Sequence, residues 1–133
     1  MIYTMSITDC DTTKYDKIYL IVRSILPLIN SKHPILKVAE QLDALSPSLD
    51  LFLRYRKWEK EGTWGIEKFN SQYAPFFLED MENNFFAQLA LKNLIAESDK
   101  EIALLCYCKD KNTCHRSLVG KLLKERGCEV IIN

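Results

Sequence analysis

The chain has 133 residues, 47% hydrophobic and 27% charged, a globular balance long enough to bury a core without staples. Eighteen basic residues offset eighteen acidic ones, so the broad positive field of a nonspecific nucleic-acid binder is missing. No apolar run approaches bilayer length, and the N-terminus lacks a charged segment leading into a long apolar one; the expectation is one soluble domain over 1–133, cytoplasmic and with no membrane partner.

In chain order, "MIYTMSI" (1–7) reads as a strand that ends at the polar cluster "TDCDTT". "KIYLIVRS" (17–24) is a second strand, a β-branched and aromatic run suited to burial on both faces. The connector between them is too short for a helical crossover and has room for one turn. Pro27 and Pro34 punctuate 25–35, and His33 falls in that loop as a solvated residue. A short helix is expected at 35–43.

A longer helix fits 45–62, with Ser46 as N-cap, Pro47 at the first helical position and Gly62 as the stop. Leu49, Phe52 and Leu53 follow at helical spacing. "RYRKWEKEG" mixes aromatic and basic residues as single-strand binders do, but Glu59 and Glu61 favour an ordinary amphipathic face. In 63–81, Ile66, Phe69, Tyr73 and Phe76 or Phe77 share a face, and Pro75 should kink or break the helix. A further helix at 83–98 has Asn84 as cap and a buried stripe of Phe86, Leu89, Ala90, Leu94 and Ile95.

"EIALLCYC" (101–108) is the clearest strand. An amphipathic helix follows at 115–126, with Leu118, Val119, Leu122 and Leu123 on one face and Gly127 as its stop, and "CEVIIN" (128–133) is a last strand. The fold class is therefore α/β: a small, mostly parallel sheet flanked by helices, ending in a βαβ unit.

The chemistry gathers at one corner. The five cysteines are Cys10, Cys106, Cys108, Cys114 and Cys128, an odd set best read as reduced thiols. "LLCYCKDKNTCHR" (104–116) runs from the carboxyl end of a strand into a helix start, where ligands of open α/β sheets sit. Thr113 is the expected N-cap, which places Cys114, His115 and Arg116 in the first turn, among unpartnered amides at the positive end of the helix. Such an end suits a phosphate or carboxylate, with Arg116 as a planar fork, His115 as donor or proton exchanger, and Cys108 at the rim. Arg23, at the end of the second strand, would reach the same rim if the two strands are neighbours.

The same position should make Cys114 acidic, so Cys114 assisted by His115 is a candidate catalytic pair; packing or capping is the competing role for this thiol. A Cys-x5-Arg phosphatase loop is absent: six residues beyond Cys10, Cys106, Cys108 and Cys114 stand Asp16, Asn112, Cys114 and Gly120. Zinc on Cys108, Cys114, His115 and Cys10 lacks a Cys-x2-Cys pair, and a Cys108–Cys114 redox pair lacks a familiar spacing. No metal and no cofactor are expected. Cys106 and Cys128 read as sheet-interior residues.

The corner and its flanks, "IALLCYCKDKNTCHRSLVGKLLKERGCEVI", resemble the end of the bacterial and archaeal domain-of-unknown-function 488 family, whose members carry a similar strand, a short loop, Cys-His-Arg and a helix. "IYT" (2–4), "VRS" with Pro27, "LSPS" (45–48), Phe69 and Tyr73 extend the resemblance over most of the chain. It implies an α/β fold and carries over Cys114, His115, Arg116 and Arg23 as site residues. Many members have a glutamate where this chain has Cys108. The partner expected is a small anionic ligand or nucleotide, with nucleic acid disfavoured by net charge. The alternatives are a cysteine-nucleophile enzyme and a structural or interaction module.

Overall fold

A computed structural model describes residues 1–133. Five parallel strands form one sheet in the order β3-β2-β4-β1-β5: β1 (Ile2–Ser6), β2 (Lys17–Leu20), β3 (Glu40–Gln41), β4 (Ile102–Cys106) and β5 (Val130–Ile132). Every residue of β4 is buried, the continuous apolar run expected of a strand covered on both faces. Its register pairs Ile2 with Ile102 and Ser6 with Cys106 on one side, and Lys17 with Ile102 and Leu20 with Leu105 on the other. Cys106 therefore ends the central strand at the carboxyl edge. No helix is long and apolar enough to cross a membrane.

β1 reaches β2 through two short 3-10 turns, Ile7–Asp9 and Thr12–Lys14, in keeping with the short connector. The helix expected at 35–43 does not form. Pro34–Lys37 makes one 3-10 turn, and Glu40–Gln41 becomes the edge strand β3. Polar ties explain the difference: Gln41 Nε2 donates to the Val22 and Arg23 carbonyls, each at 3.1 Å, and the Leu42 amide donates to Leu20 O at 2.8 Å. The second strand stops at Leu20 rather than running to Ser24, and the short helix α1 (Leu26–Asn30) follows with Pro27 in its first turn.

Helix α2 (Leu49–Glu61) is capped by Ser48, whose Oγ accepts from the Leu51 amide at 3.2 Å. Ser46, the expected cap, instead donates to Asp43 O, so Pro47 lies ahead of the helix. Gly62 ends α2 with φ of 73°, a left-handed conformation that favours glycine. The inward residues are Leu51, Tyr55 and Trp58, whereas Leu49 and Leu53 are exposed.

Helix α3 (Ile66–Lys68) passes through a π turn (Phe69–Tyr73) into α4 (Ala74–Asn83). Pro75 lacks an amide hydrogen, and the π turn just ahead of it absorbs the mismatch, so the axis continues where a break was expected. Phe69, Tyr73 and Phe77 are buried and stacked at 5.4 and 6.3 Å, while Ile66 faces out. Tyr55 and Trp64 complete this aromatic column edge-on at 4.8 Å.

Helix α5 (Phe85–Ala96) keeps its Asn84 cap, with Oδ1 accepting from the Ala87 amide at 3.1 Å. Its buried face is Ala87, Ala90, Leu91 and Leu94; Phe86 and Leu89, placed in the stripe by sequence, are exposed. Helix α6 (His115–Glu125) lies between β4 and β5 and packs Leu118, Val119 and Leu123 inward. Cys128 is half-buried and precedes β5 rather than belonging to it.

Candidate functional site

The corner after β4 is built by three segments. β4 delivers Cys106, the loop two residues later carries Cys108, and Cys114 is the N-cap of α6. Thr113 is not that cap: it closes a 3-10 turn (Lys111–Thr113) and is half-buried, while Asp110 caps that turn by accepting from the Asn112 amide. Cys106 and Cys114 are each 1% exposed, and their Sγ atoms are 3.0 Å apart. The Sγ of Cys108, on the exposed loop, completes a set in which all three sulfurs lie within 4.8 Å of one another.

Arg116 is 2% exposed, and each of its three guanidinium nitrogens has a partner within the chain. Nε donates to Asn133 O at 3.0 Å, Nη1 to Cys106 Sγ at 3.2 Å and to Cys108 O, and Nη2 to Lys109 O at 3.2 Å. The planar fork that sequence assigned to an external oxyanion is thus directed at a thiol and three carbonyls of the same chain.

His115 is buried, and that burial lowers its pKa. Its Nε2 lies 2.6 Å from Ile21 O. A carbonyl only accepts, so Nε2 carries the proton and Nδ1 the lone pair, 3.8 Å from Cys114 Sγ. The ring also packs on Phe77 at 5.8 Å between centroids.

The thiols do not share one acidity. Hydrogen bonds from Cys108 and Cys114, with the Arg116 guanidinium beside it, hold Cys106 well below the ordinary cysteine range. Cys114 moves the other way, raised first by its hydrogen bonds to Cys106 and Cys108 and then by burial. Cys108 is pushed up to about 11, chiefly by its bond to Cys106. The helix N-terminus was expected to make Cys114 the acidic thiol. The guanidinium sits on Cys106 instead, and Cys114, hydrogen-bonded to the neighbouring sulfurs and buried, shifts up rather than down.

Arg23 and His115 do not converge on one pocket. His115 grips the Ile21 carbonyl, and Arg23, two residues on, donates Nη1 to Pro47 O at 3.2 Å. Arg23 lines a separate cleft of about 370 Å³ together with Ser46, Ser48, Asp80, Asn83 and Asn84. Two of these are helix caps, Ser48 for the 13-residue α2 and Asn84 for the 12-residue α5. Asp80 Oδ2 is buried there with no hydrogen-bond partner.

Sequence reasoning missed Cys106 and Asp80 as site residues. For Cys106 the signal was the Cys-x-Cys pair at a strand's carboxyl end, ahead of a helix N-terminus. Asp80 left only its place one turn beyond the buried Phe77. Cys10 is half-buried and outside the thiol set, so the cluster replaces it with Cys106.

Residues 2–127 match a protein-family model described as the active DUF488-N3 subclade. The chain belongs to the domain-of-unknown-function 488 (DUF488) family, as the Cys-His-Arg corner suggested. No curated protein and no solved structure matches it.

Proposed function

We propose that this DUF488 domain binds a small anionic ligand, of the nucleotide or sugar-phosphate class, in the polar cleft that Arg23 lines. The observation that carries the reading is the meeting of Arg23 with two helix caps, Ser48 and Asn84, around one cavity. Each helix start presents amides without intrahelical partners and the positive end of a dipole, and Arg23 adds a full charge to a lining that also holds the Asp43 and Asp80 carboxylates. The cleft volume of about 370 Å³ lies at the small end of the range for ligand sites. Its lining is mostly polar, which suits a hydrophilic molecule. Asp80 supplies a buried acceptor without a donor, so a ligand bearing hydroxyl or amino groups beside its anion fits better than bare phosphate.

The anion site expected at the α6 N-terminus moves, in this reading, to Arg23, because each guanidinium nitrogen of Arg116 already has a partner within the chain. The cysteine-nucleophile alternative has less support: Cys114 is buried and retains its proton.

The test is thermal unfolding with inorganic phosphate, nucleoside mono- and diphosphates and sugar phosphates. A ligand at one hundred times its Kd stabilises the folded state by about 2.7 kcal/mol. At least one phosphorylated compound should raise Tm, its affinity should fall with salt, and Arg23→Ala should weaken it at least tenfold. No shift across the panel, or equal affinity in Arg23→Ala, refutes the reading.

A further inference from the structure

We infer that Cys106, Cys108 and Cys114 form a three-thiolate site for a zinc-class divalent cation. Sulfurs bound at about 2.3 Å around a tetrahedral ion stand about 3.8 Å from one another. The Cys106–Cys114 separation is 3.0 Å and all three sulfurs fall within 4.8 Å, so small side-chain rotations bring the set to that spacing. Two of the ligands are held by the end of a central strand and by a helix cap, and the third stands on the exposed loop between them.

Charge selects the ion. Three thiolates and a divalent cation leave one negative charge, and the Arg116 guanidinium, 3.2 Å from Cys106 Sγ, cancels it. A monovalent soft ion would leave a second buried charge without a partner, which is costly. Thiolate donors in turn select zinc over magnesium or calcium.

The surroundings fit a metal centre as well. Arg116 binds the Cys108 and Lys109 carbonyls, and so fixes the loop that carries the third sulfur. His115 donates Nε2–H to the Ile21 carbonyl, and its Nδ1, 3.8 Å from Cys114 Sγ, borders the thiol set without belonging to it. Cys108, on the surface, gives the ion a route in. The zinc set considered from sequence lacked a Cys-x2-Cys pair and did not include Cys106, which the fold brings to Cys108 and Cys114. A plain redox pair would account for Cys106 and Cys114 but leave no role for a third sulfur in contact distance.

The test uses the full chain, freed of any affinity tag, fully reduced and titrated with Co²⁺ as a spectroscopic stand-in for zinc. One equivalent should bind with sulfur-to-cobalt charge-transfer absorption, and zinc should displace it. Cys108→Ser should weaken binding at least tenfold, whereas Cys128→Ser, outside the cluster, should bind like the wild type. Absence of charge-transfer absorption while all five thiols react as reduced overturns the site. So does equal affinity in Cys108→Ser and wild type, or a loss in Cys128→Ser as large as that in Cys108→Ser.

Discussion

Arg116→Lys separates a structural clamp from a ligand-binding arginine. The wild-type guanidinium reaches Asn133 O through Nε, Cys106 Sγ and Cys108 O through Nη1, and Lys109 O through Nη2. A lysine ammonium is a single point with three donors and cannot span the carbonyls of residues 109 and 133 together. At least two charge-assisted hydrogen bonds are then lost, each contributing about 1.5–3 kcal/mol. Residues 109 and 133 are themselves exposed, so their freed carbonyls can rehydrate and the loss falls toward the lower end. The expected destabilisation is about 2–4 kcal/mol, a large share of a typical total of about 5–15 kcal/mol. Arg116→Met should cost more, about 3–5 kcal/mol, because it also strips the countercharge from the buried thiol pair. Urea unfolding with an unchanged m-value is the assay. If Arg116→Lys unfolds within about 0.5 kcal/mol of wild type, the range of an ordinary surface substitution, the clamp reading is wrong.

Two further outcomes follow from the packing and the tyrosines. Gly120→Ala sets a helix-propensity gain of about 1 kcal/mol against overpacking of about 1–3 kcal/mol, because a Cβ there would lie 2.8 Å from Ile132 Cγ1 and 3.0 Å from its Cδ1. A net loss of up to about 2 kcal/mol is expected, and in the Ile132→Ala background the same change should become neutral or stabilising; strict additivity of the two changes would contradict the contact. Tyr19 is pushed up to about 12 by burial and by its hydrogen bond to Glu97 Oε2 at 3.1 Å. The folded state therefore holds this proton more tightly than the unfolded chain, whose tyrosines titrate near 10. Its contribution is complete below pH 10 and is lost as pH rises toward 12. Denaturant midpoints measured across that interval should fall less steeply in Tyr19→Phe, and an unchanged slope would rule the linkage out.

The sequence carried the central strands and the last helix plainly, because each signal was strong and single-valued. "IALLC" could only be a doubly covered strand, and the stripe of α6 had one register. Elsewhere the period was ambiguous. In "FFAQLALKNLIA" apolar residues occupy nearly every face, so the side turned inward was settled by packing against α4, and Phe86 came out exposed. The strand β3 carries no apolar signal at all; Glu40 and Gln41 are exposed and are held at the edge by pairing with β2 and by bonds from the Gln41 side chain to the Val22 and Arg23 carbonyls. The local cues near α2 were two serines on either side of a proline; Ser48 Oγ accepts from the Leu51 amide, while Ser46 Oγ donates to Asp43 O.

The candidate site shows why adjacency in sequence misleads about direction in space. Cys114, His115 and Arg116 are neighbours at a helix start, and read as letters they suggest one constellation acting on one ligand. Successive residues of a helix point about 100° apart, so the three side chains leave the backbone in different directions. Cys114 turns to the end of β4 and meets Cys106. His115 turns to β2's extension and holds Ile21 O. Arg116 turns toward the chain beyond β5 and holds Asn133 O, with Cys106, Cys108 and Lys109 along the way. The motif therefore ties the carboxyl ends of three strands to one helix start. That tie accounts for the burial of an arginine and a histidine, and it leaves Arg23, which makes a single backbone contact, as the cation of this edge facing an open cleft.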